Sequence, residues 1–170
     1  MLNKEVVKLL NEQINKEFYS AYFYLDIANY YTENSLDGFA NWFTIQAQEE
    51  QAHAMMFIKY LQDNGEKVIL ESIEASGHTF ENFKEALEAT YKHEQEVSKS
   101  IDNIYGVAFE KREFRTTQFL EWFIQEQVEE EKSAEDLINK YNLFAGDGKG
   151  LYLLDTEFAA RVYIAPNVGA

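Results

Sequence analysis

Four long helical stretches of this chain each place a carboxylate in the middle of a row that should be apolar. Taken at alternating four- and three-residue steps, the first row reads Leu10, Ile14, Glu17, Ala21, Tyr24, Ala28, Tyr31. The second reads Phe39, Phe43, Gln46, Glu50, His53, Phe57, Tyr60. The third is Phe83, Leu87, Thr90, Glu94, Val97, Ile101, Ile104, and the fourth is Leu120, Phe123, Gln127, Glu130, Ala134, Leu137, Tyr141. Such steps keep each row on one helix face, so the pattern predicts an all-α bundle with a charged layer in its core. A buried carboxylate without a partner is costly, and four converging ones would repel the fold apart unless cations sat between them. The rows therefore describe a metal site.

Composition narrows the setting. A length of 170 residues suits one domain with a full core, here expected to span 1–170. The one proline is Pro166, so nothing interrupts long helices before the tail. A net charge of -15 excludes the basic footprint that binding nucleic acid needs, and it concentrates cations near the surface. With no cysteine, the chain has no disulfides, zinc–thiolate sites or iron–sulfur clusters. The start, Met1-Leu2-Asn3-Lys4-Glu5, lacks a signal-peptide apolar core, and no apolar run approaches membrane-spanning length. A soluble cytoplasmic protein with no membrane partner is expected.

Caps and breakers divide the chain. Asn3 is a good cap for a first helix reaching about Asn34-Ser35, and the second runs from near Leu36-Asp37-Gly38 to the terminator Asn64-Gly65. Glu66 to His78 lacks helical periodicity and holds a strand-like run, Val68-Ile69-Leu70. So long a connection suits an end-to-end crossover, making helices two and three parallel. Thr79 is the expected cap of the third helix, which reaches about Arg112, and the fourth covers about Glu113 to Tyr141, closing a bundle of about 3–142. The glycine-rich stretch Ala145 to Gly150 breaks the pattern. A short fifth helix at about 150–162 and a tail at 163–170 follow. Leu151, Leu153, Leu154 and Phe158 have little to pack against within one subunit, which points to assembly.

Glu17, Glu50, Glu94 and Gln127 each lie near mid-helix, about 20 Å from either end, so they meet at one height whichever way the helices point. Glu50-x-x-His53 stacks two ligands on one face, a pattern used by bundles that hold paired metals on carboxylates. A lone mid-helix Glu is usually solvated, but four on four apolar faces at matched heights reverse that expectation. Glu126 and Glu129 flank the fourth row at i, i+3 spacing, and Glu49 neighbours Glu50; these three form a candidate third, wetter site, with a solvated helix face as the other reading. Tyr24 is the one aromatic given a role, since a buried phenol needs a partner and a ligating carboxylate is nearest. His78 and His93 are read as ordinary. Carboxylates with one imidazole and no thiolate favour Fe(II), Fe(III) or Mn(II) over Zn or Cu.

The chain resembles the bacterial non-haem ferritins along nearly its whole length. The matching stretches are Leu10 to Glu17 (LNEQINKE), Ala47 to His53 (AQEEQAH), Thr90 to Gln95 (TYKHEQ), Glu126 to Lys132 (EQVEEEK) and Gly150-Leu151-Tyr152. The resemblance implies a ferroxidase centre in which Glu17, Glu50 and His53 bind one iron. Glu50 as bridge, Glu94 and Glu130 would bind the other, with Gln127 close by. A third iron site maps onto Glu49, Glu126, Glu129 and Glu130, and Tyr24 matches the family's tyrosine beside the centre. It further implies a ferritin-like four-helix bundle and a hollow cage of roughly two dozen subunits with the fifth helix at four-fold contacts. Bacterioferritins instead carry a second Glu-x-x-His where this chain has Gln127-x-x-Glu130, and bind haem through a methionine where this chain has Gln51. No haem is expected. Rubrerythrins add a cysteine-ligated iron domain that a chain without cysteine lacks.

The expected function is iron storage with ferroxidase activity. Fe(II) is oxidised by dioxygen or peroxide at a di-iron centre, and Fe(III) passes to a mineral inside the cage. Two rivals stand beside it: a di-iron or di-manganese oxidase acting on an organic substrate, and a non-catalytic helical shell that only traps cations.

Overall fold

A computed structural model describes residues 1–166. Four long helices, α1 (Lys4–Glu33), α2 (Asp37–Asp63), α3 (Phe83–Glu110) and α4 (Phe114–Phe144), precede a short α5 (Gly148–Phe158). The Asn3 side chain accepts from Glu5 N at 2.9 Å and starts α1 as expected. Tight turns fold α1 back along α2 and α3 back along α4, each through a non-glycine residue in the left-handed region, Ser35 and Arg112, both at φ 58°. Gly65, at φ 70°, ends α2 where the sequence placed a terminator.

Between α2 and α3 the chain travels the length of α1. Near the start of α1, the Asn11 side chain accepts from Ile69 N at 2.7 Å and donates to Lys67 O at 3.2 Å. Farther along, Asp26 accepts from Ser76 Oγ at 2.8 Å, and Tyr31 donates to Phe83 O at 2.7 Å. The crossover is thus end to end, and α2 and α3 run parallel. The expected strand-like run Val68-Ile69-Leu70 forms no strand, because the Ile69 amide is satisfied by the Asn11 side chain and not by a neighbouring strand. Thr79 is not the cap of α3. Asn82 is, accepting from Glu85 N at 3.1 Å, while Glu85 reaches back to Glu81 N at 2.6 Å, a capping box shifted by one residue.

At the far end, α4 runs on to Phe144, past the expected stop at Tyr141. α5 starts at Gly148, inside the stretch read as a breaker, because Asp147 caps it by accepting from Gly150 N at 2.8 Å. It stops at Phe158 and not near 162, leaving Arg161 free to turn back toward α2. The tail expected at 163–170 lies partly outside the described residues. Leu154 and Phe158 are buried within this one chain, contrary to expectation, whereas Tyr152 and Leu153 remain exposed. α5 sits so close to the start of α2 that a Cβ on Gly38 would fall 1.6 Å from Asp155 O, and Asp155 accepts from Gly38 N and Phe39 N at 2.8 and 3.0 Å.

The apolar interior is divided. One cluster gathers Tyr24, Tyr31, Phe39, Phe43, Leu87, Leu137 and Phe158. The other gathers Leu10, Ile14, Phe57, Val97, Ile101, Leu120 and Phe123. Each long helix passes from one cluster to the other through its polar residues, so Glu17, Glu50, Glu94 and Glu130 occupy the layer between. The fold is all-α, a four-helix bundle with a short fifth helix and no strand among the described residues. No helix among the described residues is long and apolar enough to cross a membrane.

Candidate metal centre

The middle layer is dry. Glu17, Glu50, Glu94 and Glu130 are 1, 2, 1 and 6% exposed, and His53 is 2% exposed. Glu17 from α1 and Glu50 and His53 from α2 each bring one potential ligand atom within 4.8 Å of the others; His53, Glu126 and Glu130 form a second such group. The imidazole therefore stands between two sets of acids, with its Nδ1 3.6 Å from Glu50 Oε2. Glu94 falls in neither group. Its carboxylate accepts from the Tyr24 hydroxyl and from Gln127 Nε2 at 3.1 Å, but its charge is near enough to act on Glu50 and Glu130.

Amides and a phenol hold these acids from outside. Gln13 Nε2 donates to Glu17 Oε1 at 2.8 Å and is itself fixed by Ser100 Oγ, which donates to Gln13 Oε1 at 2.6 Å. Gln46 Nε2 donates to Glu130 Oε2 at 2.7 Å and to Glu50 Oε1 at 3.3 Å. Each donor stabilises a charged carboxylate, yet none carries a charge of its own. Among the described residues, no lysine or arginine pairs with Glu17, Glu50, Glu94 or Glu130.

Electrostatics show the consequence. Burial pushes the Glu17 carboxyl well above its ordinary value of 4.5, and the Glu50 charge adds to the effect. Burial does the same to Glu50 and Glu130, each pushed further by the charge on Glu94. Glu94 is raised by burial against the lowering effect of Tyr24 and Gln127. Tyr24, fully buried, is driven well above 10 by burial and by Glu94 and Glu50, so its hydroxyl stays a donor. A layer of hard oxygens and one imidazole, each acid disfavoured as an anion by its neighbours, fits divalent or trivalent hard cations.

The outer acids differ. Glu126 is half-buried and joins His53 and Glu130, while Glu129 is exposed beside it. Glu49 is held by an arginine: Arg161 NH2 donates to Glu49 Oε2 at 2.5 Å and to Gln46 Oε1 at 2.9 Å. The sequence reading gave no role to Gln13, Gln46 or Arg161. Gln46 was legible, one turn before Glu50 on the same row. Gln13 lies off its row, and Arg161 is 112 residues from Glu49, so no local spacing marks it. His93 behaves as read: its Nε2 meets Ser20 Oγ at 2.8 Å, its ring packs on Phe23, and burial lowers its pKa to about 4.

Comparison with known proteins gives a consistent picture. Residues 7–144 match the family model described as a ferritin-like domain. A bacterial non-heme ferritin of Campylobacter jejuni is 41% identical over 155 residues, covering 91% of this chain and 93% of that protein. A probable bacterial non-heme ferritin-like protein of Haemophilus influenzae is 37% identical over 157 residues, with 92 and 95% covered. Among solved structures, an engineered closed form of the Archaeoglobus fulgidus ferritin superposes with a TM-score of 0.94 at 38% identity, covering 96% of this chain and all of that one. An open pore ferritin from the same archaeon gives 0.93 at 38% identity, with 95 and 100% covered.

Proposed function

The chain belongs to the ferritin family, and on that premise we propose that it stores iron, taking up Fe(II) and oxidising it at the middle layer of the bundle. The observation that carries the reading is the buried quartet of Glu17, Glu50, Glu94 and Glu130, which has one imidazole and, among the described residues, no lysine or arginine to balance it. Two Fe(II) ions supply the missing charge. Glu17, Glu50 and His53 take one; Glu50, Glu94 and Glu130 take the other, with Gln127 orienting Glu94. Glu50 is the bridge because it alone lies in both sets.

Iron is substrate and cargo here. Dioxygen takes one electron from each Fe(II), gains two protons and leaves as peroxide, and the two Fe(III) ions move on to mineral. The protein holds two cations close enough for a joint step and keeps bulk water out. Tyr24 holds Glu94 in place through its hydroxyl. Glu126 and Glu129, with Glu49 and Glu130, offer a third position on the way to the store.

Storage requires an enclosure, and the exposed apolar residues supply contacts for one. Tyr22, Leu25 and Met55 lie on α1 and α2, and Leu143, Phe144, Tyr152 and Leu153 lie around α5; all are exposed in the single chain. A cage of roughly two dozen copies, which the family resemblance implies, would cover both patches.

The test is aerobic addition of Fe(II) to purified protein, with particle size and retained iron measured after gel filtration. Storage predicts a large particle that keeps many more irons than it has sites. A monomer or dimer that keeps two irons per chain and takes up no more would overturn storage in favour of a fixed-metal oxidase.

A further inference from the structure

Arg161 lies outside the bundle, beyond the end of α5, yet its side chain is built into the edge of the metal layer. Its guanidinium carbon sits 4.0 Å from the centre of the Trp42 ring. NH1 donates to Trp42 O at 3.1 Å, and NH2 donates to Gln46 Oε1 at 2.9 Å and Glu49 Oε2 at 2.5 Å. The arginine is 23% exposed and Glu49 is 18% exposed, so the pair is largely out of water. Its backbone is fixed too: Asn41 Nδ2 donates to Arg161 O at 3.1 Å and to Phe158 O at 3.3 Å. Trp42, Gln46 and Glu49 follow one another on one face of α2, next to Glu50. A planar fork stacked on a ring with three acceptors around it is a held position, not a solvated side chain.

We propose that Arg161 is a resident countercation for Glu49, and that a metal ion reaches the outer position only by displacing it. The proposal rests on the two-iron reading above. Of the three outer acids, Glu49 alone has a partner of opposite charge among the described residues. The guanidinium occupies the carboxylate that a third cation needs, and it does so without filling the buried quartet. Arg161 thus keeps the outer position weak while the pair fills first. It is a positioning residue and touches none of the paired ligands.

Zinc(II), which undergoes no redox step, tests this by calorimetric titration of the assembled metal-free protein. In Arg161→Gln, the last binding event, beyond the pair, should tighten by about tenfold, the worth of one partly buried ion pair. Arg161→Lys should fall between, since it keeps the charge and loses the fork. Adding Glu49→Gln to Arg161→Gln should abolish the gain. A second readout is optical: in a Trp122→Phe background, Trp42 emission should change as the last zinc displaces Arg161 from Glu49, and stay constant in Arg161→Gln. Equal affinity of the last event with and without Arg161, or filling of that position with no change in Trp42 emission, would overturn the proposal. Failure of the native chain to bind two zinc ions at the pair would instead overturn the two-iron reading. If Arg161→Gln does not assemble, Glu49→Gln alone serves: the last event and its emission change should both vanish, and their persistence overturns the proposal.

Discussion

Seven acids crowd one height of the bundle, and they fall into two groups that solve their charge differently. The inner four are buried, receive neutral donors from Gln13, Gln46, Gln127 and Tyr24, and pair with no lysine or arginine among the described residues. Of the outer three, Glu126 and Glu129 keep contact with water, and Glu49, largely out of water, has an arginine. Water and a guanidinium relieve charge without metal, whereas neutral amides only fix geometry. On the proposed reading, the inner layer therefore draws on cations from outside the chain in a way that the outer layer does not. On the same reading, that difference would separate an oxidation site from a transit site.

The largest effect should come from removing the inner bridge. Glu50→Ala is expected to slow rapid Fe(II) oxidation at least about a hundredfold, since both irons of the proposed pair would lose a shared ligand. The metal-free fold should keep or gain stability, because a buried charge repelled by its neighbours is gone. Oxidation kinetics and thermal unfolding check the two halves. Next is the outer group: replacing Glu49, Glu126 and Glu129 together by Gln should spare the first filling of the pair and slow later turnover severalfold. Equal slowing of both phases would erase the distinction between the groups.

A smaller effect concerns pH. The inner carboxyls are raised above their ordinary 4.5 in the folded state, so the folded chain holds more protons than the unfolded one above that pH. As far as these groups decide, metal-free protein should thus be most stable below their ordinary pKa of 4.5, and lose stability as pH rises above it through their folded values. Saturating Zn(II) should remove that loss. A metal-free unfolding temperature that climbs steadily from pH 5 to 8 would contradict the inner charge imbalance. The smallest effect is Tyr24→Phe, which removes one donor from Glu94 at about 1 kcal/mol. It should cost a few degrees of unfolding temperature and alter oxidation only severalfold, as measured by calorimetry and stopped-flow absorbance.

Much of this was legible because helices repeat. Rows at 3.6-residue spacing located the four long helices, and an acid in each row located the layer. The parallel pair α2 and α3 followed from the length of the crossover alone. What was missed lay where local signals compete or where contacts are distant. Asn82 outcompetes Thr79 as a cap because Glu85 stands three residues on, and Asp147 rescues a glycine-rich stretch into the first turn of α5. Leu154 and Phe158 read as interface residues because no periodicity shows that α5 folds back beside Gly38. Arg161 was invisible for the same reason: its partners lie on α2, and only the docked α5 brings them together.

The most direct test is the amplitude of the fast oxidation phase. Fe(II) is added anaerobically in steps to the metal-free protein, and each mixture is then exposed to dioxygen while absorbance and oxygen uptake are followed. A joint site in the inner layer predicts a fast phase that grows until two irons per chain are bound and consumes one dioxygen for each two irons. A fast phase that saturates at one iron per chain, or that persists undiminished in Glu50→Ala, would contradict it.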